Sequence, residues 1–276
     1  MVEHHVANVN VTGSNPVSRS KQKEVWSSPV YGNSLENCRS ERVREFESHR
    51  FHQTYMAKVN YFLHTFDYFK KLHPTIDQGT VLDYGSNYGM FLDSSRGKFK
   101  QTEYTGIDVD LEAIEFGRSK FPNANFIWYN GFNHMYNPEG DKTKPVLDLQ
   151  YDSVVSYSVF THTTIKDTLD SIAYLYTKLK PGGKMLLTWL SIDNKQAVDF
   201  FYRKRIMEFK SCDTIQTDDY TYLIDNKLSK VEDIGMFLVF YKQDYLAKLL
   251  EGYNFTLTSA PLGAVGCFQD CIIISK

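Results

Sequence analysis

Apolar residues follow two alternating patterns between residues 80 and 190. Short apolar runs, which are typical of buried strands, occupy Thr80–Tyr84, Tyr104–Asp108, Asn125–Tyr129, Tyr151–Ser158 and Lys184–Leu190. Between these runs apolar side chains recur every three or four residues, which predicts helices over Met90–Arg96, Leu111–Phe121 and Ile165–Leu179. Strands that alternate with helices predict a parallel sheet covered on both faces, and right-handed crossovers make it doubly wound.

The segments after residue 190 follow a different pattern. We interpret residues 191–236 as an inserted substrate lid, with a helix over Gln196–Phe209 and a polar stretch. A further helix is predicted near Lys242–Glu251. The last two strands, Phe255–Ala260 and Phe268–Ser275, are too close in sequence for a helical crossover and must pair as an antiparallel hairpin. The fold class is therefore α/β: a Rossmann-like, seven-stranded, mostly parallel sheet with a C-terminal antiparallel hairpin.

The N-terminal region divides into a polar tail and a helical segment. Apolar spacing predicts a helix within Glu41–His73, and residues 1–40 are predicted to be a disordered tail, so that residues 41–276 form a single domain. Gly13-Ser14-Asn15-Pro16 is also what the T-arm of a transfer-RNA gene would encode in frame. Residues 1–24 are therefore either an ordinary polar tail or the translation of a neighbouring gene.

The composition narrows the class of protein. The net charge of −2 provides no basic field, so neither nucleic acid nor an anionic membrane is expected as a partner. The N-terminus has no apolar signal region, and no run is long enough for a membrane helix, so we expect a cytoplasmic location. The four cysteines lack zinc spacing and are read as reduced. The oligomeric state is left open.

The loop after the first predicted strand, Asp83 to Gly89, is rich in small and polar residues. Gly85 allows a sharp turn out of the strand, and Gly89 allows the next helix to begin close to a ligand. The intervening backbone N–H groups are expected to bind a carboxylate or a ribose. A dinucleotide fingerprint would require glycine at 85, 87 and 90, but Asn87 and Met90 stand there. The lysine of a phosphate-binding P-loop is absent as well.

Asp108 ends the second predicted strand. A carboxylate in this position can accept hydrogen bonds from both hydroxyls of a ribose. The alternative is that Asp108 caps the following helix. Asp110 is the expected N-cap of that helix, which leaves Asp108 available for a ligand.

Four sequence motifs resemble those of class I S-adenosylmethionine-dependent methyltransferases. They are Val81 to Leu92, Gly106 to Asp110, Tyr151 to His162, and Leu179 to Lys184. Their order and spacing agree with the family over about Thr80 to Leu190, together with the final hairpin. The resemblance implies an enzyme that uses S-adenosylmethionine as its cofactor.

The resemblance also implies which residues hold the cofactor. Asp83, Gly85, Ser86 and Gly89 are expected at the methionine part, and Asp108 with Val109 at the ribose and adenine. The complete expected set is Asp83, Gly85, Ser86, Asn87, Gly89, Asp108, Val109, Asn130, Gly131 and Ser158. Asn130 stands where many relatives have an aspartate, and Asn87 where many have a glycine.

Two residues are candidates for the general base. His162, just beyond the fourth strand, and Asp193, just beyond the fifth, lie at the edge where the methyl group is expected. The alternatives are a helix cap or packing for His162 and an ordinary loop residue for Asp193. A bound metal is not expected, because Tyr157 and Ser158 stand where catechol-type enzymes need an acid.

The acceptor is predicted from weaker features. Tyr136-Asn137-Pro138 and Phe268-Gln269-Asp270 resemble bacterial methyltransferases associated with surface-polysaccharide biosynthesis. This resemblance favours O-methylation of a saccharide or another small-molecule hydroxyl. Two alternatives remain: N-methylation of a small amine, and a non-catalytic S-adenosylmethionine-binding regulator.

Overall fold

The computed structural model describes residues 64–133, 136–141, 143–197, 212–216, 220–225, 237–259 and 269–276. The chain divides into two compact units, Met1–Arg50 and Phe51–Lys276, and every described residue belongs to the second. The predicted tail and the first part of the predicted helix over Glu41–His73 lie outside the described residues. No helix in the described ranges is long and apolar enough to cross a membrane.

The elements alternate along the chain as the apolar pattern predicts. The described strands are β1 (Val81–Tyr84), β2 (Tyr104–Asp108), β3 (Asn125–Trp128), β4 (Tyr151–Ser156), β5 (Leu179–Trp189), β6 (Cys212–Gln216), β7 (Tyr220–Asp225), β8 (Phe237–Tyr241), β9 (Asn254–Thr258) and β10 (Asp270–Ser275). The described helices are α1 (Thr65–Leu72), α2 (Met90–Ser94), α3 (Leu111–Lys120), α4 (Ile165–Thr177), α5 (Lys195–Ala197) and α6 (Gln243–Leu249).

The main sheet has seven strands in the order β3-β2-β1-β4-β5-β10-β9. The first five strands in this order are mutually parallel, whereas β10 lies antiparallel between β5 and β9. The strand order reverses between β1 and β4, where the chain leaves β1 toward one side and β4 toward the other. This arrangement confirms the predicted fold class and the C-terminal antiparallel pair.

Alternate residues of the central strands pack into two separate cores. Val154 of β4 and Leu187 of β5 face the core that also contains Ile172 of α4 and Leu246 of α6. Val155, the next residue of β4, faces the opposite core. That second core contains Phe69 of α1, Phe91 of α2 and Ile114 of α3. Helices therefore cover both faces of the sheet, and this is why the strand segments read as nearly continuous apolar runs.

The fifth strand begins earlier than predicted, at Leu179 and not at Lys184. Pro181, Gly182 and Gly183 lie within it, and its register with β4 shifts between Tyr151 and Ser153. Gly182 adopts φ +79°, and its N–H donates to the carbonyl of Lys276. A bulge with a left-handed glycine thus lets the strand continue through a proline, which cannot donate a ladder hydrogen bond.

The inserted segment contains strands that the sequence analysis missed. Its predicted helix over Gln196–Phe209 is described only at Lys195–Ala197, and the rest lies outside the described residues. β6, β7 and β8 form a separate antiparallel sheet of three strands. β8 is tied to the main sheet, because Tyr241 N–H donates to the Leu190 carbonyl and Val239 N–H donates to the Thr161 carbonyl.

Candidate active site

A large cavity opens at the carboxyl ends of the parallel strands, where the strand order reverses. The space within and around it, including open solvent at its mouth, is about 1310 Å³. Nine of the twelve predicted site residues line it: Asp83, Gly85, Ser86, Asn87, Asp108, Val109, Gly131, Ser158 and His162. Open α/β sheets bind ligands at this edge, so position and lining agree with the sequence analysis.

The loop after β1 contains three left-handed residues, Gly85, Asn87 and Gly89, the last with φ +74°. Gly85 has φ +77°, and a Cβ there would lie 2.1 Å from Cγ2 of Val159. Asn87 has φ +51°, and its Oδ1 accepts a hydrogen bond of 2.9 Å from the N–H of Tyr88. Asparagine tolerates left-handed angles better than most residues, and this local bond helps it take the place of glycine.

The backbone N–H groups of this loop are used within the protein. The N–H groups of Gly85 and Ser86 donate to the Ile107 carbonyl, that of Asn87 to Asp108 Oδ2, that of Tyr88 to Asn87 Oδ1, and that of Gly89 to the Ser86 carbonyl. The expectation that these groups bind a ligand is therefore wrong for this structure. The loop forms part of the cavity lining, and the charged groups beside it are the side chains of Asp83 and Asp108.

Asp108 fixes the loop to the end of β2. Its Oδ2 accepts from Asn87 N–H at 2.7 Å, and its Oδ1 accepts from Asp110 N–H at 3.0 Å. Asp110 is the N-cap of α3, because its Oδ1 accepts from Ala113 N–H. The two roles are thus divided as predicted. Burial raises the pKa of Asp108, and the two N–H donors partly offset this effect.

Asp83 is a buried carboxyl group on the cavity floor. Its Oδ2 accepts a hydrogen bond of 2.6 Å from the hydroxyl of Tyr104 on β2. Burial, followed by the nearby charge of Asp108, raises the pKa of Asp83 to about 7, although the bond from Tyr104 acts in the opposite direction. A carboxylate has about four lone-pair positions. Asp83 therefore retains acceptor capacity toward the cavity.

Three predicted site residues do not line the cavity. A Cβ on Gly89 would lie 2.9 Å from Cζ of Phe126, so this glycine permits core packing and not ligand approach. Asn130 Oδ1 accepts from the amide of Asn137. Asp193 Oδ2 accepts from Gln243 N–H at 3.0 Å and thereby holds the start of α6. The structure thus gives each of these three residues a contact inside the protein.

His162 lies in a turn between β4 and α4. Its N–H donates to the Val159 carbonyl at 3.0 Å, and its side chain lines the cavity. The N-cap of α4 is Thr164, whose hydroxyl oxygen accepts from Asp167 N–H. The capping alternative for His162 is therefore wrong.

One wall of the cavity was missed by the sequence analysis. Tyr129 donates to the hydroxyl of Tyr84 at 3.1 Å, that hydroxyl lies 3.4 Å from Ser171 Oγ, and Lys144 Nζ donates to Ser171 Oγ at 2.8 Å. All four residues line the cavity. Tyr84 belongs to a quoted motif, and Tyr129 directly precedes the predicted site residues Asn130 and Gly131. Lys144 comes from a loop and Ser171 from the middle of α4, where no local pattern predicts a site.

The comparisons with known proteins agree with this geometry. Residues 46–260 match a family model described as a methyltransferase domain, a range that spans most of the chain. The PH0226 protein of Pyrococcus horikoshii is similar in structure with a TM-score of 0.53 and 15% identity, over 81% of this chain and 91% of that one. DesVI of Streptomyces venezuelae is similar with a TM-score of 0.50 and 13% identity, over 83% of this chain and 97% of that one. At these identities the likeness concerns the fold.

The burial of Asp83 generates a prediction for stability. Its folded-state pKa of about 7 exceeds the ordinary value of 3.8, so proton binding to Asp83 stabilises the folded state. This contribution is complete below about pH 4 and is lost as the pH rises through about 7. The shift corresponds to at most about 4 kcal/mol. We expect Asp83→Asn, which keeps an acceptor for Tyr104, to be more stable than the wild type at pH 8, with the gain disappearing toward pH 4.

Urea unfolding of the ligand-free protein at pH 4 to 8 measures this difference. Asp110→Asn is the control, because asparagine also serves as an N-cap and the variant removes one carboxylate from the same cavity. A difference between Asp83→Asn and wild type that stays constant across the pH range would contradict the assignment.

Proposed function

The chain belongs to the methyltransferase-domain family, and on that premise we propose that it transfers a methyl group from S-adenosylmethionine to a hydroxyl of a small, hydroxyl-rich acceptor such as a saccharide. The observation that carries the proposal is the placement of two buried carboxyl groups, Asp83 and Asp108, and one histidine, His162, around a single cavity.

The residues present fit S-adenosylmethionine. Its methionine part bears an ammonium group, and a positive charge beside Asp83 would offset the cost of ionising this buried carboxyl. Asp108 has two oxygens on the cavity wall, each with one backbone donor, so each can also accept from a ribose hydroxyl. Val109 and Gly131 line the neighbouring wall, where the flat adenine needs apolar contact and space.

The chemistry requires alignment and the removal of one proton. When bound, S-adenosylmethionine would supply a methyl group on a positively charged sulfur, and this sulfur would keep the electron pair of the bond that breaks. His162 would take the proton that the acceptor hydroxyl loses as its oxygen gains the methyl group. The cavity wall holds the acceptor oxygen in line, which is the largest part of what a protein contributes to such a displacement.

His162 is preferred over Asp193 as the base. His162 lines the cavity, whereas Asp193 binds the first N–H of α6 and lies outside the lining. A general base must come within hydrogen-bond reach of the proton that it takes. Asp193 would have to leave a helix terminus to do so.

The polar groups on the cavity wall that the sequence analysis missed support the proposal of a hydroxylated acceptor. Tyr84, Tyr129, Ser171 and Lys144 present hydroxyl and ammonium groups, and Asp170 presents a carboxylate. A sugar carries hydroxyls that both donate and accept, and its ring faces pack on aromatic side chains, so a wall of this composition suits it. We retain the proposal that the inserted segment 191–236 covers the acceptor. The strand that follows this segment, β8, supports it, because Val239 N–H donates to the carbonyl of Thr161, the neighbour of the cavity residue His162.

An amine acceptor is the second candidate. Asp167 and Asp170 both line the cavity along α4, and their carboxylates would attract a positively charged amine. An amine that has lost its proton to solvent needs no base in the transfer step. The contribution of His162 therefore distinguishes the two acceptors.

Removing the Asp108 side chain should weaken cofactor binding. Asp108→Ala loses charge-assisted hydrogen bonds to the ribose, which costs roughly 2–4 kcal/mol, or about 30-fold or more in affinity for S-adenosylhomocysteine. Asp110→Ala removes the cap of α3 together with a cavity carboxylate to which no ligand contact is assigned, and it should cost about 1 kcal/mol of stability with little change in affinity. Calorimetric titration and thermal unfolding of both variants provide the measurement. A destabilised Asp108→Ala protein with unchanged affinity would show that Asp108 only holds the loop.

Removing the His162 side chain should slow methyl transfer and leave cofactor binding intact. For a hydroxyl acceptor we expect His162→Ala to lower the single-turnover rate about 10²–10⁴-fold, the usual contribution of a positioned base, and to flatten the rise of rate with pH. For an amine acceptor the loss should be far smaller. The release of S-adenosylhomocysteine in a screen of sugars and amines gives the acceptor, and rapid-quench kinetics give the rate. His73→Ala, outside the cavity, is the control. A variant that keeps both its rate and its pH profile would exclude His162 as the base.

A further inference from the structure

We propose that Gln269, at the start of β10, is a positioning residue that holds the turn 158–162 and thereby fixes His162 at the cavity. The inference rests on the proposed role of His162 as the base. It concerns a residue that lies next to β10 in sequence, far from the four motifs. The evidence for it is the pair of hydrogen bonds that the Gln269 side chain makes to Thr188 in β5 and to Ser158 after β4.

Three hydrogen bonds form a closed ring beneath the turn. Ser158 N–H donates to Thr188 Oγ1 at 2.7 Å, the Thr188 hydroxyl donates to Gln269 Oε1 at 2.6 Å, and Gln269 Nε2 donates to Ser158 Oγ at 2.9 Å. Thr188 Oγ1 accepts from the Ser158 N–H, and its own hydrogen points at Gln269 Oε1. The amide oxygen of Gln269 thus faces Thr188, and its amide nitrogen faces Ser158. The ring joins the segments at the ends of β4, β5 and β10.

The turn needs this support because its first residue is strained. Ser158 has φ +62°, a left-handed angle that a residue with a side chain rarely adopts. Such a conformation persists only where the surrounding structure over-determines it. The ring supplies two bonds to Ser158, and a third comes from the Thr161 hydroxyl, which donates to the Ser158 carbonyl at 3.0 Å.

Two of the three residues of the ring are buried. Gln269 is 1% exposed, and Thr188 is fully buried. The Gln269 carbonyl also accepts from the hydroxyl of Tyr68 on α1 at 3.0 Å. Removing the Gln269 amide would leave the Thr188 hydroxyl without its acceptor in a buried place, and unsatisfied buried groups are costly. We therefore expect its loss to loosen the turn.

Ser158 and His162 lie in the same short turn, so hydrogen bonds that fix Ser158 also restrict the position of His162. The N–H of His162 donates to the Val159 carbonyl, and the carbonyl of Thr161 accepts from Val239 on β8. Two sets of hydrogen bonds therefore hold the turn: those of the ring at Ser158, and the bond from β8 of the three-stranded sheet at Thr161. A base displaced by about 1 Å loses alignment with its proton, and misplacement on that scale costs up to about 10²-fold in rate.

Two variants that break the ring from different strands test the proposal. Gln269→Met keeps the length of the side chain without its hydrogen bonds, and Thr188→Val is nearly isosteric. Both should speed amide hydrogen exchange in the peptide that spans residues 157–163 about tenfold in the protein saturated with S-adenosylhomocysteine. Affinity for S-adenosylhomocysteine should stay within about threefold of the wild type. Cys271→Ala, a buried change on the same strand, is the control and should leave the exchange of this peptide unchanged.

The rate measurements use the same acceptor as the measurements on His162→Ala. Gln269→Met should lower the single-turnover rate about 10–100-fold. The double variant Gln269→Met with His162→Ala should be no slower than His162→Ala alone, because the two changes act through one group. Additive losses would overturn the proposal, as would unchanged exchange in Gln269→Met, or exchange altered in that variant but not in Thr188→Val. A normal rate in His162→Ala would instead contradict the proposed function, and the exchange results would still decide whether Gln269 holds the turn.

Discussion

The burial of two carboxyl groups, those of Asp83 and Asp108, in the lining of one cavity is the physical constraint on which the rest of this site depends. Each ends or nearly ends a strand, and the parallel pairing of β1 with β2 brings them to the same edge. Burial raises the pKa of both carboxyl groups, and the charge of Asp108 adds to the rise at Asp83, so ionising the two groups in the folded protein costs free energy. Tyr104 and two backbone N–H groups offset part of this cost. A ligand with an ammonium group and hydroxyls would offset more.

The strand order explains why the cavity lies where it does. The chain leaves β1 toward the helices on one face and leaves β4 toward α4 on the other, so the two loops diverge and a crevice opens between them. The loop after β1 shapes its floor with Gly85 and Asn87. The turn after β4 brings Ser158 and His162 to the opposite side. Cofactor and acceptor residues therefore come from different strands and meet only in the folded chain.

Sequence reasoning succeeded where local chemistry decides the outcome. Asp110 was recognisable as a cap because a cap needs only the helix that follows it, and Asp108 was thereby left for the cavity. The strands were recognisable because burial on both faces makes them apolar throughout. Sequence reasoning failed where a contact joins segments that are far apart in the chain. Nothing near Asp193 predicts that Gln243 will donate to it, and nothing near Gly89 predicts the ring of Phe126. The partnership of Tyr104 with Asp83, and the wall built by Lys144 and Ser171, likewise depend on tertiary contacts.

The central claim is that this edge of the sheet binds S-adenosylmethionine. Isothermal titration of the purified full chain with S-adenosylhomocysteine, and in parallel with NAD, tests it most directly. The account predicts a single site with micromolar affinity for S-adenosylhomocysteine and no measurable binding of NAD, because the loop lacks the glycines of a dinucleotide fingerprint at Asn87 and Met90. Tight binding of NAD with no heat from S-adenosylhomocysteine would contradict it.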